Sequence, residues 1–266
     1  MDIQYTREEY EEICSRTNRK DLTTLHELCE KVSTDIEARC RQTPEKHEIS
    51  GEDFMMRLGF FPAIRKVPGF DTVIGFEGTD AYYAKYEGED QEKCLRWLDE
   101  FYEITNEDSF FEYIQNDRGC NLARMAGDVL AQINGRPNFD INALNEQGRY
   151  AFENTVHFME PFAEYLPQAG VLAWDICEKI GFVRHAYRCG IIDRAEYCHG
   201  MMVFRDAAVE NFSSWEEYMR SLIYGCGLYM YNFDMDESGI AGAIDFICML
   251  TPMLLNSDLA DSEWNP

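Results

Sequence analysis

The amino-acid sequence predicts a mainly α-helical protein, an antiparallel multi-helix bundle with a short irregular or β-containing insertion near residues 59–90. Two observations predict this fold class. Apolar residues recur three and four positions apart through most of the 266 residues, a spacing that places them on one face of a helix. Short turns containing Gly, Pro or Asn separate these segments, and short connections favour antiparallel neighbours.

The first part of the chain carries two signals for helix starts. Thr6 and Glu9 have the spacing of a capping box, in which the Thr side chain accepts from a free helix N–H and the Glu reaches back. After Asp21, helical spacing predicts a helix over about 22–41, and its apolar positions are Leu25, Leu28, Val32 and Ile36. We therefore expect helical structure up to about residue 58.

Residues 59–90 differ in composition because they are rich in Gly, Pro and aromatic residues. Within them, "TVIGF" and "AYYAKY" are predicted as short strands or ordered loop. The helical pattern then returns, and it predicts helices over about 91–103, 107–116, 120–134, 140–159, 168–189, 194–211, 215–230 and 239–255. We expect an N-terminal helical segment with its connection (1–90) and a helical-bundle domain (91–266), or one continuous domain.

The net charge narrows the classes of partner. Asp and Glu number 49 against 24 Lys and Arg, which gives a formal charge of -25. Nucleic acids and anionic membranes attract positive surfaces, so neither is an expected partner. The charge is explained by solubility alone or by complementarity to a basic protein, which is the class of partner that we expect. The sequence leaves the oligomeric state open.

Three features predict a cytoplasmic protein. The N-terminal "MDIQYTREEYEEICSR" has no basic start and no apolar core, so we expect no secretory signal. The apolar stretch 240–255 contains Asp245 and Pro252, and we expect it to be a buried helix too short to span a bilayer. The ten cysteines include no C-x-x-C pair, so they are expected to be free, packed thiols in a reducing compartment.

The segment "AWDICEKIGFVRHAYRCGIIDRAEYCHG" (173–200) contains the most unusual mixture of residues. In its first helix, spacings of three and four residues predict a core-facing stripe formed by Ala173, Ile176, Ile180, Val183 and Tyr187. Trp174, Glu178 and His185 lie on the flank of this stripe. Asp175 and Arg184 are nine residues apart, about half a revolution, so each needs a partner on another element or in water.

Two further capping pairs open the next helices. Asp193 with Glu196 and Ser214 with Glu217 both have the cap-x-x-Glu spacing. We expect these two helices and the helix from Ala173 to pack against one another as an antiparallel bundle.

No metal site or cofactor is predicted. Glu196 and His199 have the i, i+3 spacing of metal-binding bundles, but such bundles repeat this motif and add two more carboxylates. His185 and His199 both point away from the apolar stripes of their helices. We therefore expect exposed or inter-helix hydrogen-bonding histidines.

A second metal pattern is a partial calcium loop, whose weak candidate ligands are Asp234, Asp236, Ser238 and Asp245. Its last position is Asp where a bidentate Glu is expected, so an acidic turn capping the next helix is the preferred interpretation. Phosphate-binding glycine loops and the serine-hydrolase elbow are missing from the sequence. A Cys–His nucleophile stays open because the pattern favours no pair.

"AWDICEKIGFVRHAYRCGIIDRAEY" and "FSSWEEYMRSLIYG" resemble an uncharacterised bacterial family catalogued as domain of unknown function 1266. The resemblance covers about residues 100–266 and maps onto Trp174, Asp175, Arg184, Tyr187, Gly190, Glu196, Phe212, Ser214, Trp215, Glu216, Tyr218 and Gly225. Phe101 or Tyr102 takes the place of the family's upstream Trp. The resemblance implies a helical, bacterial, cytoplasmic protein and no particular activity.

The chain departs from the family pattern at two places. The family has an Arg shortly after Trp-Asp, where this chain has Glu178 and Lys179. The family's Ala-Trp after the turn is replaced by Tyr197 and Cys198. These departures leave open whether this chain retains an activity of the family.

Two function hypotheses follow. The first is a non-catalytic binding protein, of the kind that gives immunity to a toxin, whose acidic surface neutralises a basic partner. The second is an enzyme of unknown reaction with a polar inter-helix pocket around Asp175, Glu178, Arg184 and His185. Structural ion pairs are the simpler role for these side chains. The candidate binding or structural residues are Trp174, Asp175, Glu178, Arg184, His185, Glu196, Ser214, Trp215 and Glu217, of which the two Trp are expected to be packing anchors.

Overall fold

The computed structural model describes residues 3–43, 45–59, 83–115 and 121–264. These ranges contain eleven α-helices and no β-strand, which confirms the mainly α prediction. The helices are α1 (Arg7–Arg16), α2 (Leu22–Gln42), α3 (Gly51–Leu58), α4 (Gly88–Tyr102), α5 (Glu107–Gln115), α6 (Leu122–Ile133), α7 (Glu146–Met159), α8 (Leu172–Cys189), α9 (Arg194–Asn211), α10 (Trp215–Asp234) and α11 (Glu237–Leu255).

The insertion predicted near residues 59–90 is described only in part. The "TVIGF" segment (72–76) and the first two residues of "AYYAKY" lie outside the described residues. Residues 83–86 are described and form no strand. The Tyr86 N–H donates instead to the carbonyl of Arg188, 2.8 Å away, so this end of the insertion is an ordered extended segment.

The predicted helix starts depend on local chemistry, and the structure contains the expected bonds. The Thr6 N–H donates to the Glu9 carboxylate, and Asp193 and Glu196 exchange two such bonds at 2.7 and 2.9 Å. At α10 the Ser214 hydroxyl accepts from the Glu217 N–H, as expected. Ser214 is the N-cap as predicted, but the Glu217 carboxylate accepts from the N–H and hydroxyl of Ser213, so only the return bond falls one residue earlier.

The chain forms two compact units, each assembled from separate stretches of sequence. The first unit comprises Met1–Glu48, Leu122–Trp174 and Phe212–Trp264. The second comprises Ile49–Asn121, Asp175–Asn211 and Asn265–Pro266. The division falls inside α8, directly after Trp174. The predicted division into residues 1–90 and 91–266 stays a prediction.

In the first unit the hairpin of α10 and α11 is the central element, and α2 packs against both helices. Aromatic stacking joins α10 to the segment before α8. The rings of Phe158 and Tyr231 stack at 4.1 Å, and those of Phe162 and Tyr224 at 5.0 Å. The Tyr224 hydroxyl donates to the Cys29 carbonyl at 3.1 Å, so this buried phenol is satisfied.

Helix α11 is the one helix within the described ranges that is long and apolar enough to cross a membrane by length and composition. Our prediction that this stretch is too short to span was wrong, because the helix has 19 residues and contains an 18-residue window with a mean hydropathy of 1.7. The predicted burial is present in part, since 56% of the apolar window is buried inside the protein. Core helices of soluble proteins share these properties, so length and composition do not assign α11 to a bilayer.

An ion pair ties the end of α2 to the C-terminal segment of the first unit. Arg39 donates two parallel bonds to the Asp261 carboxylate at 2.7 and 2.6 Å, and its Nε donates to the Leu255 carbonyl at 2.9 Å. These bonds from Arg39, with one from Thr43, lower the pKa of Asp261 from 3.8 to about 2. The pair is partly buried, because only 29% of the Asp261 side chain is exposed.

We expect Asp261→Asn to lose about 2 kcal/mol at neutral pH, because each pKa unit corresponds to about 1.4 kcal/mol. Since the folded pKa is lowered, the stabilisation is complete above the unfolded pKa and disappears as the pH falls through about 2. Urea unfolding of both proteins between neutral pH and about pH 3 tests this. If the difference in the free energy of unfolding between the two proteins stays constant on acidification, the ion-pair explanation is contradicted.

Candidate functional site

Helix α8, which carries five of the nine predicted site residues, is buried on every face. Fifteen of its eighteen residues are buried. The residues of the predicted core-facing stripe are buried as expected, and the polar flank is also removed from water. A helix in this position must satisfy its charged side chains within the protein.

Four charged side chains are buried among the described residues, and all four belong to the second unit. Asp175, Glu178 and Arg184 lie on α8, and Arg57 lies on α3. Their exposed fractions lie between 3% and 9%, and none of the four is without a partner. Two carboxylates and two guanidinium groups balance in charge, which is the arrangement that makes such burial tolerable.

Arg184 illustrates why the tertiary structure is needed to place these side chains. Its Nη1 donates to the carbonyl of Gly59, at 3.4 Å, directly after α3. As predicted from the spacing, a partner on another element is therefore available to this guanidinium.

His185 lies in an aromatic enclosure in the second unit. Its ring is 5.4 Å from that of Trp97 and stacks on Tyr86 at 6.2 Å, and its Nδ1 lies 3.4 Å from the Tyr86 hydroxyl. Burial, together with the charges of Arg184 and Arg188, lowers the pKa of His185 to about 3. Both predicted environments occur: His185 is the inter-helix case, because Cys94 on α4 lies within hydrogen-bond distance of its Nδ1, and His199 is exposed.

The structure also brings a cysteine to His185, a pairing that the sequence had left open. The Cys94 Sγ lies 3.7 Å from the His185 Nδ1. A hydrogen bond with Cys189 and burial raise the pKa of the Cys94 thiol, while the imidazole is held neutral. Nucleophilic catalysis needs the thiolate, so this pair is poorly suited to it.

The two predicted tryptophan anchors are buried in the first unit. Trp174 is 1% exposed and its ring lies 5.0 Å from that of Tyr229. A Cβ at Gly225 would lie 2.5 Å from the Cβ of Trp174, so only glycine permits this approach of α10. Trp215 is 3% exposed and its indole N–H donates to the Glu263 carbonyl at 3.2 Å.

The weak calcium candidates do not form a loop in the structure. Asp236 is the N-cap of α11, and its Oδ1 accepts from the N–H groups of Ser238 and Gly239. Asp234 ends α10, and Asp245 lies on α11, 2.9 Å from Arg19. Helix α11 occupies positions that a calcium loop would need, which corrects this alternative. Elsewhere in the described ranges, His, Cys, Asp and Glu form no cluster of three suited to a metal.

The acidic residues are concentrated in one part of the second unit. Residues 87–112 hold ten Asp and Glu, every one of them exposed, against two basic residues. This stretch, which we call the acidic segment, carries a net charge of -8 out of -25 for the chain. It comprises α4, the first part of α5 and the connection between them.

Aromatic packing in the second unit positions the acidic segment. The Phe182 ring contacts Trp97 at 5.9 Å, Tyr102 at 4.6 Å and Tyr113 at 4.8 Å. Tyr102 is therefore packed, whereas Phe101 is 66% exposed. Of the two residues that the resemblance offered in place of the family's Trp, Tyr102 has the packed position.

An apolar groove of about 420 Å³ lies between α5 and α9, beside α8. We call it the α5–α9 groove. Its apolar lining comprises Phe110, Phe111, Ile114, Val183, Val203 and Phe204. Sequence reasoning missed this groove because the spacing within one helix does not show which residues of separate helices lie side by side.

The edge of the groove is acidic. Glu196 lines this edge. A hydrogen bond with Glu196 and the negative charge of Glu196 raise the pKa of the Glu107 carboxyl on α5. The charges of Asp108 and Asp193 contribute in the same direction. The predicted site residue Glu196 thus has two roles, since it also caps α9. The density of Asp and Glu in residues 87–112 was a sequence signal that could have located this surface.

Comparison with protein families finds a match over residues 97–245, more than half of the chain, to the family described as protein of unknown function (DUF1266). This confirms the resemblance to domain of unknown function 1266, and the matched range ends before the predicted limit of 266. No curated protein and no solved structure matches the chain.

Proposed function

The chain belongs to the DUF1266 family, whose function is unknown, and from this premise we propose that it acts by binding a basic protein partner through the acidic segment. The single observation that supports the proposal is the concentration of charge. Ten exposed carboxylates within 26 residues create a negative potential that attracts a positive surface and accelerates its association.

The proposed binding is non-catalytic and cytoplasmic, and its specific form is immunity, in which the protein neutralises a basic toxin. Electrostatic complementarity of this kind gives fast, salt-sensitive association. The elevated thiol pKa of Cys94 beside a neutral His185 supports a role without nucleophilic catalysis. A toxin gene immediately upstream of the gene for this chain would support the immunity form directly.

The test is affinity purification of the full chain from cells that produce it, followed by measurement of Kd with the purified partner. We expect a basic partner whose Kd rises steeply with salt. The double reversal Asp99→Lys and Glu100→Lys is expected to weaken binding about tenfold or more, because it inverts charge within the acidic segment.

The matched control is Glu8→Lys with Glu12→Lys, an equal charge change at exposed positions of α1 in the first unit. It is expected to affect Kd much less. Recovery of partners that are not basic, or equal weakening by both double variants, contradicts the proposal.

A second candidate, an enzyme with a polar pocket around Asp175, Glu178, Arg184 and His185, has one observation in its favour. Buried charged side chains are unusual, and enzymes hold them where substrates bind. With a pKa of about 3, the buried imidazole of His185 holds no proton at physiological pH and is a very weak base, so it is poorly suited to general acid–base catalysis there. Unfolding of an Arg184 variant, described in the Discussion, separates a structural role from a ligand-binding role.

A further inference from the structure

We propose that the α5–α9 groove receives the apolar face of one basic amphipathic helix of the protein partner. This inference rests on the proposed function and adds where the partner docks and which secondary structure it presents. Helices that dock in grooves insert apolar side chains at positions i, i+3 or i+4, and i+7.

The floor of the groove offers the apolar surface that such a helix needs. Phe110, Phe111 and Ile114 project from α5, and Val203 and Phe204 from α9. Val203 is 47% exposed although it is apolar, so part of this surface faces water in the isolated chain. Covering it removes apolar area from water, which is favourable at about 25 cal/mol per Å².

The length of the groove fits a helix of two to three turns. On α9 the lining residues extend from Ala195 to Phe204, a rise of about 13.5 Å at 1.5 Å per residue. Apolar anchors at i and i+7 of a docked helix are about 10.5 Å apart by the same rise. The groove therefore accommodates one complete set of anchors.

The charge at the edge of the groove selects a basic helix. Glu107 and Glu196 are close enough to share a hydrogen bond, and the charge of Asp108 adds to the repulsion. A Lys or Arg on the flank of a docked helix would relieve this repulsion, because an opposite charge nearby favours the ionised form of both carboxylates. A second copy of this chain, with a charge of -25, is disfavoured as the occupant for the same reason.

The test uses a synthetic peptide of about 14 residues, with Leu at i, i+3, i+4 and i+7 and Lys at most other positions, binding to the full chain by fluorescence anisotropy. A peptide of the same composition with the Leu positions scrambled controls for charge. We expect the amphipathic peptide to bind more tightly than the scrambled one, by about tenfold or more.

Val203→Glu is expected to weaken binding of the amphipathic peptide by about tenfold or more, because it places a charge on the apolar floor. Met202→Glu is the matched control. Met202 precedes Val203 on α9, is 46% exposed and does not line the groove. Its substitution by Glu therefore adds the same charge outside the groove. Both substitutions are at exposed positions, and circular dichroism checks that both variants are folded.

Equal binding of the two peptides, no binding of either, or equal effects of Val203→Glu and Met202→Glu would overturn the groove assignment. The oligomeric state of the chain is also measured without peptide or partner. If Val203→Glu changes this state, the groove assignment is overturned and the occupant is a second copy of the chain. These failures are distinguishable from failure of the proposed function. A basic partner that binds Val203→Glu as well as the unmodified chain leaves the proposed function standing and removes only the groove.

Discussion

Arg184→Met is expected to lower the free energy of unfolding by about 3–5 kcal/mol, one of the two largest effects that we predict. Arg184 is 3% exposed, and its guanidinium reaches the Gly59 carbonyl. Methionine preserves length and apolar packing but leaves the buried groups that Arg184 had satisfied without a partner. Urea denaturation followed by circular dichroism measures the loss.

Arg205→Met is the matched control in the same unit. Arg205 bonds Asp206, but 28% and 56% of these side chains are exposed, so the pair contributes at most about 1 kcal/mol. If Arg184→Met is as stable as the unmodified protein, Arg184 does not stabilise the packing of α8 against its neighbours. The guanidinium would then be available for a ligand, and the enzyme hypothesis would gain support.

Trp174→Ala is expected to cost about 3–5 kcal/mol, because it empties the space of a fully buried aromatic side chain that α10 approaches at Gly225. Neighbouring helices in a close-packed interior collapse only partly into such a cavity. Thermal and urea unfolding of the variant measure the loss, and circular dichroism at low temperature reports whether the helices are retained.

Phe101→Ala provides the comparison, since this ring is 66% exposed and its removal is expected to change stability by less than about 0.5 kcal/mol. A Trp174→Ala protein as stable as Phe101→Ala would contradict the packing role.

The helices were predictable because their signals are local. Helix α9 begins and ends where the pattern predicted, and α2 differs by about one residue at its end. The reciprocal bonds of Asp193 and Glu196 involve residues three apart, so sequence spacing alone specifies them. The 3.6-residue repeat acts in the same way within each helix.

The surroundings of α8 were not predictable in this way. Periodicity assigned Glu178 and His185 to the flank of an apolar stripe, whereas the structure buries both. Hydrophobic patterning detects one apolar face, and it underestimates burial when charged side chains find partners inside the protein. The contact of Cys94 with His185 likewise joins residues 91 positions apart.

The sequence by itself determined the helical class, the capped helix starts, the family and the strong net charge, because these depend on residue types and on spacings of a few residues. Only the tertiary structure decided that the chain forms two units from interleaved stretches, that four charged side chains of the described residues are buried in one of them, and that an apolar groove lies beside the acidic segment. Burial and grooves depend on which distant helices meet. That choice is made by side-chain packing over long sequence separations, where spacing within one helix carries no information.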